Sequence, residues 1–146
     1  MPTTRRTRAI AAPAQDIWEL IDDPHHLPRW WPRVARVESV EPTAFTEVLA
    51  SRRGRLVRAD FRVVARDERD LVLRWSQQVE ETPFARVLAA AETELRLEPA
   101  GRTTNVTIEL RQTLHGLFPN LGASRVRRAA RATLDEALDG LERIVG

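Results

Sequence analysis

With 146 residues the chain is long enough to bury the core of one domain, residues 1–146, and with no cysteine it has neither disulfides nor thiolate-bound metal to hold it together. All 23 basic residues are arginine and tyrosine is absent, so a net charge of only +2 pushes the isoelectric point up without arguing for a nucleic-acid partner. No run approaches the ~20 apolar residues of a membrane span. Ala9–Ala12 is cut by Pro13 before it could form a signal core, and a cytoplasmic location follows as the expectation.

In chain order, Thr4 to Ala12 reads as a strand in which Thr7, Ala9 and Ala11 alternate with Arg6, Arg8 and Ile10. Pro13 opens a helix whose apolar face is Ile17, Trp18, Leu20 and Ile21. Asp22-Asp23-Pro24 ends it, because a residue before proline is pushed out of the helical region. A second short helix is expected from His25 to Trp31. Six strands follow, at about Val34–Val40, Phe45–Ser51, Leu56–Ala65, Leu71–Val79, Val87–Leu97 and Thr103–Leu114. Turn residues join them: Glu41-Pro42-Thr43, Arg53-Gly54, Asp67 to Asp70, Thr82-Pro83-Phe84 and Pro99-Ala100-Gly101. Short turns between long strands predict an antiparallel meander.

Alternation assigns the faces. Val57, Ala59, Phe61, Val63 and Ala65 share one side, as do Leu71, Leu73, Trp75, Gln77 and Val79. Leu95 and Leu97, and Val106, Ile108, Leu110 and Gln112, continue the dry side, while Asp60, Glu92, Glu94 and Glu109 fall on the wet one. From Leu121 to Val145, apolar residues recur every three or four positions, the stripe of one amphipathic helix about 36 Å long. Its alanines, set opposite a concave sheet, leave room instead of filling it. Arg125, Arg127, Arg128 and Arg131 crowd its first half and Asp135, Glu136, Asp139 and Glu142 its second, the reverse of what the helix dipole favours. The basic end could meet an anionic membrane, an acidic carrier protein or a ligand carboxylate, with Arg5, Arg6 and Arg8 of the first strand widening the patch, or it could simply be solvated.

The order of strand, two short helices, six strands and long helix resembles the START/SRPBCC superfamily. So do the stretches IAAPAQDIWELIDDPHHLPRWWPRVARVESV and ETELRLEPAGRTTNVTIELRQTLHG. Within that superfamily the chain is most similar to the polyketide cyclase/dehydrase and lipid-transport family. The resemblance implies an α+β helix-grip fold, a seven-stranded antiparallel sheet wrapped around a C-terminal helix, with an apolar cavity between them for a hydrophobic small molecule. Some members add cyclisation or dehydration chemistry. The complete lack of tyrosine counts against a direct transfer of that chemistry.

Several residues are candidates for a site. Leu71, Leu73, Trp75, Leu95, Ile108 and Leu134 are expected to line the cavity together with Phe61 and Trp30, and Gln77, Gln112 and Thr93 to orient a ligand. The two glutamines could instead bond each other or water. Glu47 is in phase with Phe45 and Leu49, which would bring a carboxylate inside as an acid or base, although a one-residue slip would put it outside. His25 and His26 are either groups at the cavity mouth or solvated side chains on a core-anchored helix. Three histidines without ligand spacing do not make a metal site, so no metal or cofactor is expected. A binding protein for a lipid or polyketide is the first reading and a metal-free enzyme in the same cavity the second. An interaction module using the arginine face is the third. No integral membrane association is expected, and a homodimer is allowed.

Overall fold

The computed structural model describes residues 3–51, 53–115 and 120–146, with side chains in the final segment from Ser124 onward. Gly116, the last residue of the second motif, lies outside the described residues. The elements are β1 (Thr3–Ile10), α1 (Ala14–Asp22), α2 (Leu27–Trp30), β2 (Val34–Glu41), β3 (Ala44–Ala50), β4 (Leu56–Asp67), β5 (Val72–Gln78), β6 (Leu88–Ala100), β7 (Thr103–Leu114) and α3 (Asn120–Val145). Short 3₁₀ turns occupy Pro24–His26 and Pro83–Arg86. The second of these replaces the tight hairpin expected at Thr82-Pro83-Phe84. One antiparallel sheet runs in the order β1-β7-β6-β5-β4-β3-β2, so only β1 departs from the meander, pairing with β7.

The helix-grip fold follows from where the apolar stripes meet. Leu134, Ala137, Leu138 and Leu141 of α3 are buried against Ile10, Leu95, Val106 and Ile108 of the sheet and Ile17, Trp18 and Trp30 of the short helices. Helix α1 starts after an extended Pro13 and stops at Asp22, where Asp23 takes an extended conformation before Pro24, as expected. Gly140 is where α2 meets α3. A Cβ there would sit 2.8 Å from Trp30 Cα and 3.0 Å from its carbonyl carbon.

Two sequence expectations about faces need correction. A bulge in β4 between Val63 and Ala65 puts Ala65 opposite Arg74 and brings Arg66 opposite Leu73, so the inward run of β4 ends at Val63. Arg66 turns that slip to use, with Nε 2.7 Å from Asp22 at the end of α1. On the convex side, Glu94 and Glu109 face each other in the β6–β7 register but are each only 7 % exposed. They are not solvated carboxylates. Arginines cover them: Arg74 and Arg96 reach Glu94, Arg5 and Arg111 reach Glu109, and Arg74 and Arg111 also meet Glu92. Glu94 is partly desolvated, which raises its pKa, but the hydrogen bond and charge of Arg74, with Arg96 and Arg111, hold it below the ordinary value. Like charges opposite one another in a sheet repel, and this lattice of alternating sign removes the repulsion.

Adding a methyl at position 140 tests the α2–α3 contact. In an exposed helix Gly→Ala stabilises by about 1 kcal/mol. Here Gly140→Ala forces the new carbon onto the Trp30 backbone, and a loss of about 1–3 kcal/mol is expected in urea denaturation, the opposite sign.

Candidate ligand cavity

The dry face of the sheet is filled at one end and open at the other. Next to α1 and α2 the space is solid: Leu95, Ile108 and Leu134 are completely buried and Leu73 nearly so. Toward the first half of α3 the packing stops, and a cavity of about 290 Å³ remains. Glu47 and Leu49 of β3, Phe61 of β4, and Trp75 and Gln77 of β5 form one wall. Leu88, Ala91 and Thr93 of β6, with Leu110 and Gln112 of β7, form the other. Trp31, Phe84 and Thr133 close it. Two more open recesses, of about 470 and 330 Å³, share Phe84 and Thr133 with it and lead outward past Pro83.

Register puts the polar groups where they are. Phe61 pairs with Gln77, Gln77 with Ala91, and Ala91 with Gln112. The two amides therefore flank a methyl, and nothing fills the floor between them. No hydrogen bond joins the two amides, and Gln112 Oε1 is buried without a hydrogen-bond donor among the described residues. Glu47 is carried inside because β3 is locked to β4 by Phe45 opposite Phe61, their rings stacked with centroids 5.2 Å apart. That contact decides between the two registers the sequence allowed. Glu47 is 2 % exposed, and burial pushes its carboxyl up to about 8. Among the described residues it is the one titratable side chain on the cavity lining. Trp31 packs edge-on to Trp75 at 6.0 Å, making an aromatic wall beside it.

Of the residues named from sequence, Phe61, Trp75, Gln77, Thr93 and Gln112 come together around this space, and Glu47 joins them. Leu73, Leu95, Ile108 and Leu134 do not line it; they belong to the packed core, and Leu71 lies against that core before β5 begins. Trp30 is also core, standing edge-on behind Trp31 at 5.5 Å. His25 and His26 sit in the turn before α2, where His25 bonds Asp23, away from the cavity lining. Among the described residues no group of His, Cys, Asp or Glu could hold a metal. Sequence reasoning missed Trp31, Leu49, Phe84, Leu88, Ala91 and Thr133. Leu49 was accessible from its phase with Glu47, while Phe84 lies in a turn whose course no periodicity records.

The reversed charge of α3 also has a structural answer. Arg6 Nε lies 3.3 Å from Asp135, and Arg8 reaches Asp139 and Glu142. The β1 arginines therefore neutralise the acidic half of the helix and do not enlarge its basic half. Arg125, Arg127, Arg128 and Arg131 stay exposed, without an ion pair among the described residues.

A seven-stranded sheet gripping a C-terminal helix, with a cavity between them, defines a START-superfamily domain. The chain belongs to the polyketide cyclase/dehydrase and lipid transport family, which it matches over residues 1–146. A START superfamily protein from Mycobacterium smegmatis superposes with a TM-score of 0.79 at 17% identity, over 98% of this chain and 96% of that one. TTHA0849 from Thermus thermophilus gives 0.77 at 23% identity, over 97% and 95%. The di-domain ARO/CYC protein BexL from the BE-7585A biosynthetic pathway gives 0.82 at 20% identity over 98% of this chain, which spans 46% of BexL. At these identities the likeness is one of fold. No curated protein matches the chain.

Glu47 makes stability depend on pH with a definite sign. Its carboxyl titrates at 4.5 when solvated and at about 8 in the fold. Between those values the folded state keeps a proton that the unfolded state has lost, so this stabilisation is complete below the lower value and gone above the higher. Glu47→Gln removes the dependence. The melting temperature of that variant, relative to the parent, should climb from about pH 5 to about pH 8 and then level off, with a total worth several kcal/mol.

Proposed function

We propose that the chain binds a hydrophobic small molecule of lipid or polyketide type in the cavity between β3–β7 and α3, acting in the cytoplasm. The observation that carries this reading is a cavity of about 290 Å³ with mostly apolar and aromatic walls, in which Gln112 Oε1 is left without a protein partner among the described residues and burial alone acts on the Glu47 carboxyl. That is the composition of small-molecule sites: apolar surface for affinity and few polar groups for orientation. Family membership supports it, as does the lack of any described helix long and apolar enough to cross a membrane. The exposed arginines of α3 offer a third reading, an acidic partner, but that reading is strongest for a domain with a filled interior.

Catalysis in the same cavity, of cyclase or dehydrase type, is the second reading, and Glu47 is what favours it. A buried carboxyl with a pKa of about 8 is mostly protonated near neutrality and suits a general acid. The fold likeness to ARO/CYC proteins of two biosynthetic pathways supports the same idea. A metal-free reaction would have to run through this one carboxyl and the neighbouring amides.

Native mass spectrometry of the purified protein, with solvent extraction, tests the binding reading. An apolar species should travel with the parent chain. It should be lost from Ala91→Trp and from Thr133→Phe, which fill the cavity from the sheet and from the helix. Cooperative melting of each variant separates loss of the cavity from loss of the fold. A parent chain with nothing bound, whose melting temperature no apolar ligand raises, would remove the reading.

A further inference from the structure

The cavity contains two polar stations, Glu47 on one wall and a pair of amides that reaches from that wall to the other. Glu47 projects from β3, and Gln77 and Gln112 flank Ala91 from β5 and β7, the latter four strands away from β3 in the sheet. Among the described residues neither station is satisfied by the protein. Gln112 Oε1 meets no donor, and burial is the one influence that acts on the Glu47 carboxyl. Between them the lining is mostly apolar, with the Trp31 and Trp75 rings and Phe61 on the Glu47 side and the hydroxyls of Thr93 and Thr133 as the other polar groups on the lining. No described arginine or histidine lines this space. Arg33 lines the outer recess that shares Trp31, Leu49, Phe84 and Thr133 with this space, and Val37 and Ala59 are the neighbours of Glu47 on β2 and β4.

Resting on the binding reading above, we propose that the ligand is a flat, uncharged molecule with polar groups at both ends, a carbonyl-type acceptor against Glu47 and a hydroxyl donor against Gln112, and that the cavity rejects carboxylates. The reasoning is one of complementarity. A buried unpaired polar atom costs about 1–3 kcal/mol until something pairs with it, so each station selects the group that completes it. Gln112 Oε1 requires a donor. Glu47, protonated, offers one, and its proton has no acceptor among the described residues. An anionic end at either station would lie in mostly apolar surroundings with no cation on the lining among the described residues, and next to Glu47 it would also face an acid that ionises. Free fatty acids are therefore poor occupants. The two stations are held apart by the sheet, which favours a rigid fused-ring body over a flexible chain.

Three probes on one ring system test this by isothermal titration and by quenching of the Trp31 and Trp75 fluorescence. They are a hydroxynaphthyl methyl ketone, the same ketone without its hydroxyl, and the hydroxynaphthoate, in which a carboxylate replaces the ketone. The hydroxy-ketone should bind at least about tenfold more tightly than the naphthoate, a difference of about 1.4 kcal/mol. Deleting the hydroxyl should weaken binding to the parent chain and not to Gln112→Leu. Affinity for the ketones should fall as pH rises through about 8, where Glu47 loses the proton it donates. Glu47→Gln keeps a donor in place and should abolish that fall while still binding the ketone. Equal affinity for ketone and carboxylate, or an unchanged pH profile in Glu47→Gln, would overturn the proposal and leave the cavity reading standing. Failure of all three probes to bind also overturns the proposal, and the extraction experiment above then decides whether the cavity reading stands.

Discussion

The structure depends on how the second half of α3 is gripped. Leu134, Ala137, Leu138 and Leu141 are 1 % exposed or less, and Gly140 lets the Trp30 backbone lie directly on the helix. Each fully buried leucine contributes about 1.5–3 kcal/mol, so this end fixes the helix on the sheet. Arg6 and Arg8 add to that hold by meeting the acids of the same half. With one end anchored, the other need not be filled. Ala129, Ala130 and Thr133 present small surfaces where leucines lie further along, and the space left over is the cavity and its outer recesses.

Placing a carboxyl in that space has consequences. In apolar surroundings the charged form of Glu47 is disfavoured, so near neutrality the residue is mostly an uncharged donor. The stacked Phe45–Phe61 pair fixes the register that brings it there, and Trp31 and Trp75 screen it from water. The convex face handles its carboxylates in the opposite way. Glu94, though almost as covered, is held below its ordinary pKa by Arg74, Arg96 and Arg111, and Glu109 beside it is paired with Arg5 and Arg111. Glu94 and Glu47 thus shift in opposite directions because one has cationic neighbours and the other has none on its cavity lining among the described residues.

Much of the fold was legible in the sequence. Period-two alternation and turn residues define the strands, and β7 runs from Thr103 to Leu114 as read. The stripe from Val126 to Val145 announces α3. The candidate site was only half legible, because alternation tells which face a residue takes and not how far along the strand the core is filled. Leu95, Ile108 and Leu134 carry the right phase and still lie in solid packing, while Gln77, Thr93 and Gln112, one or two pleats along, reach the open space. Adjacent tryptophans likewise could not be told apart: Trp30 is core and Trp31 is wall. A bulge such as the one after Val63 leaves no mark on the pattern, and neither does the fold of the turn that carries Phe84.

A carbon-detected NMR titration of the side-chain carboxyls tests the central claim most directly, with Glu47→Gln used to assign the signal. One glutamate carbon should titrate near pH 8 in the free protein, far from the other carboxylates, and move when an apolar ligand binds. If instead the Glu47 carbon titrates near 4.5, the carboxyl is solvated and the cavity is not the selective space described above.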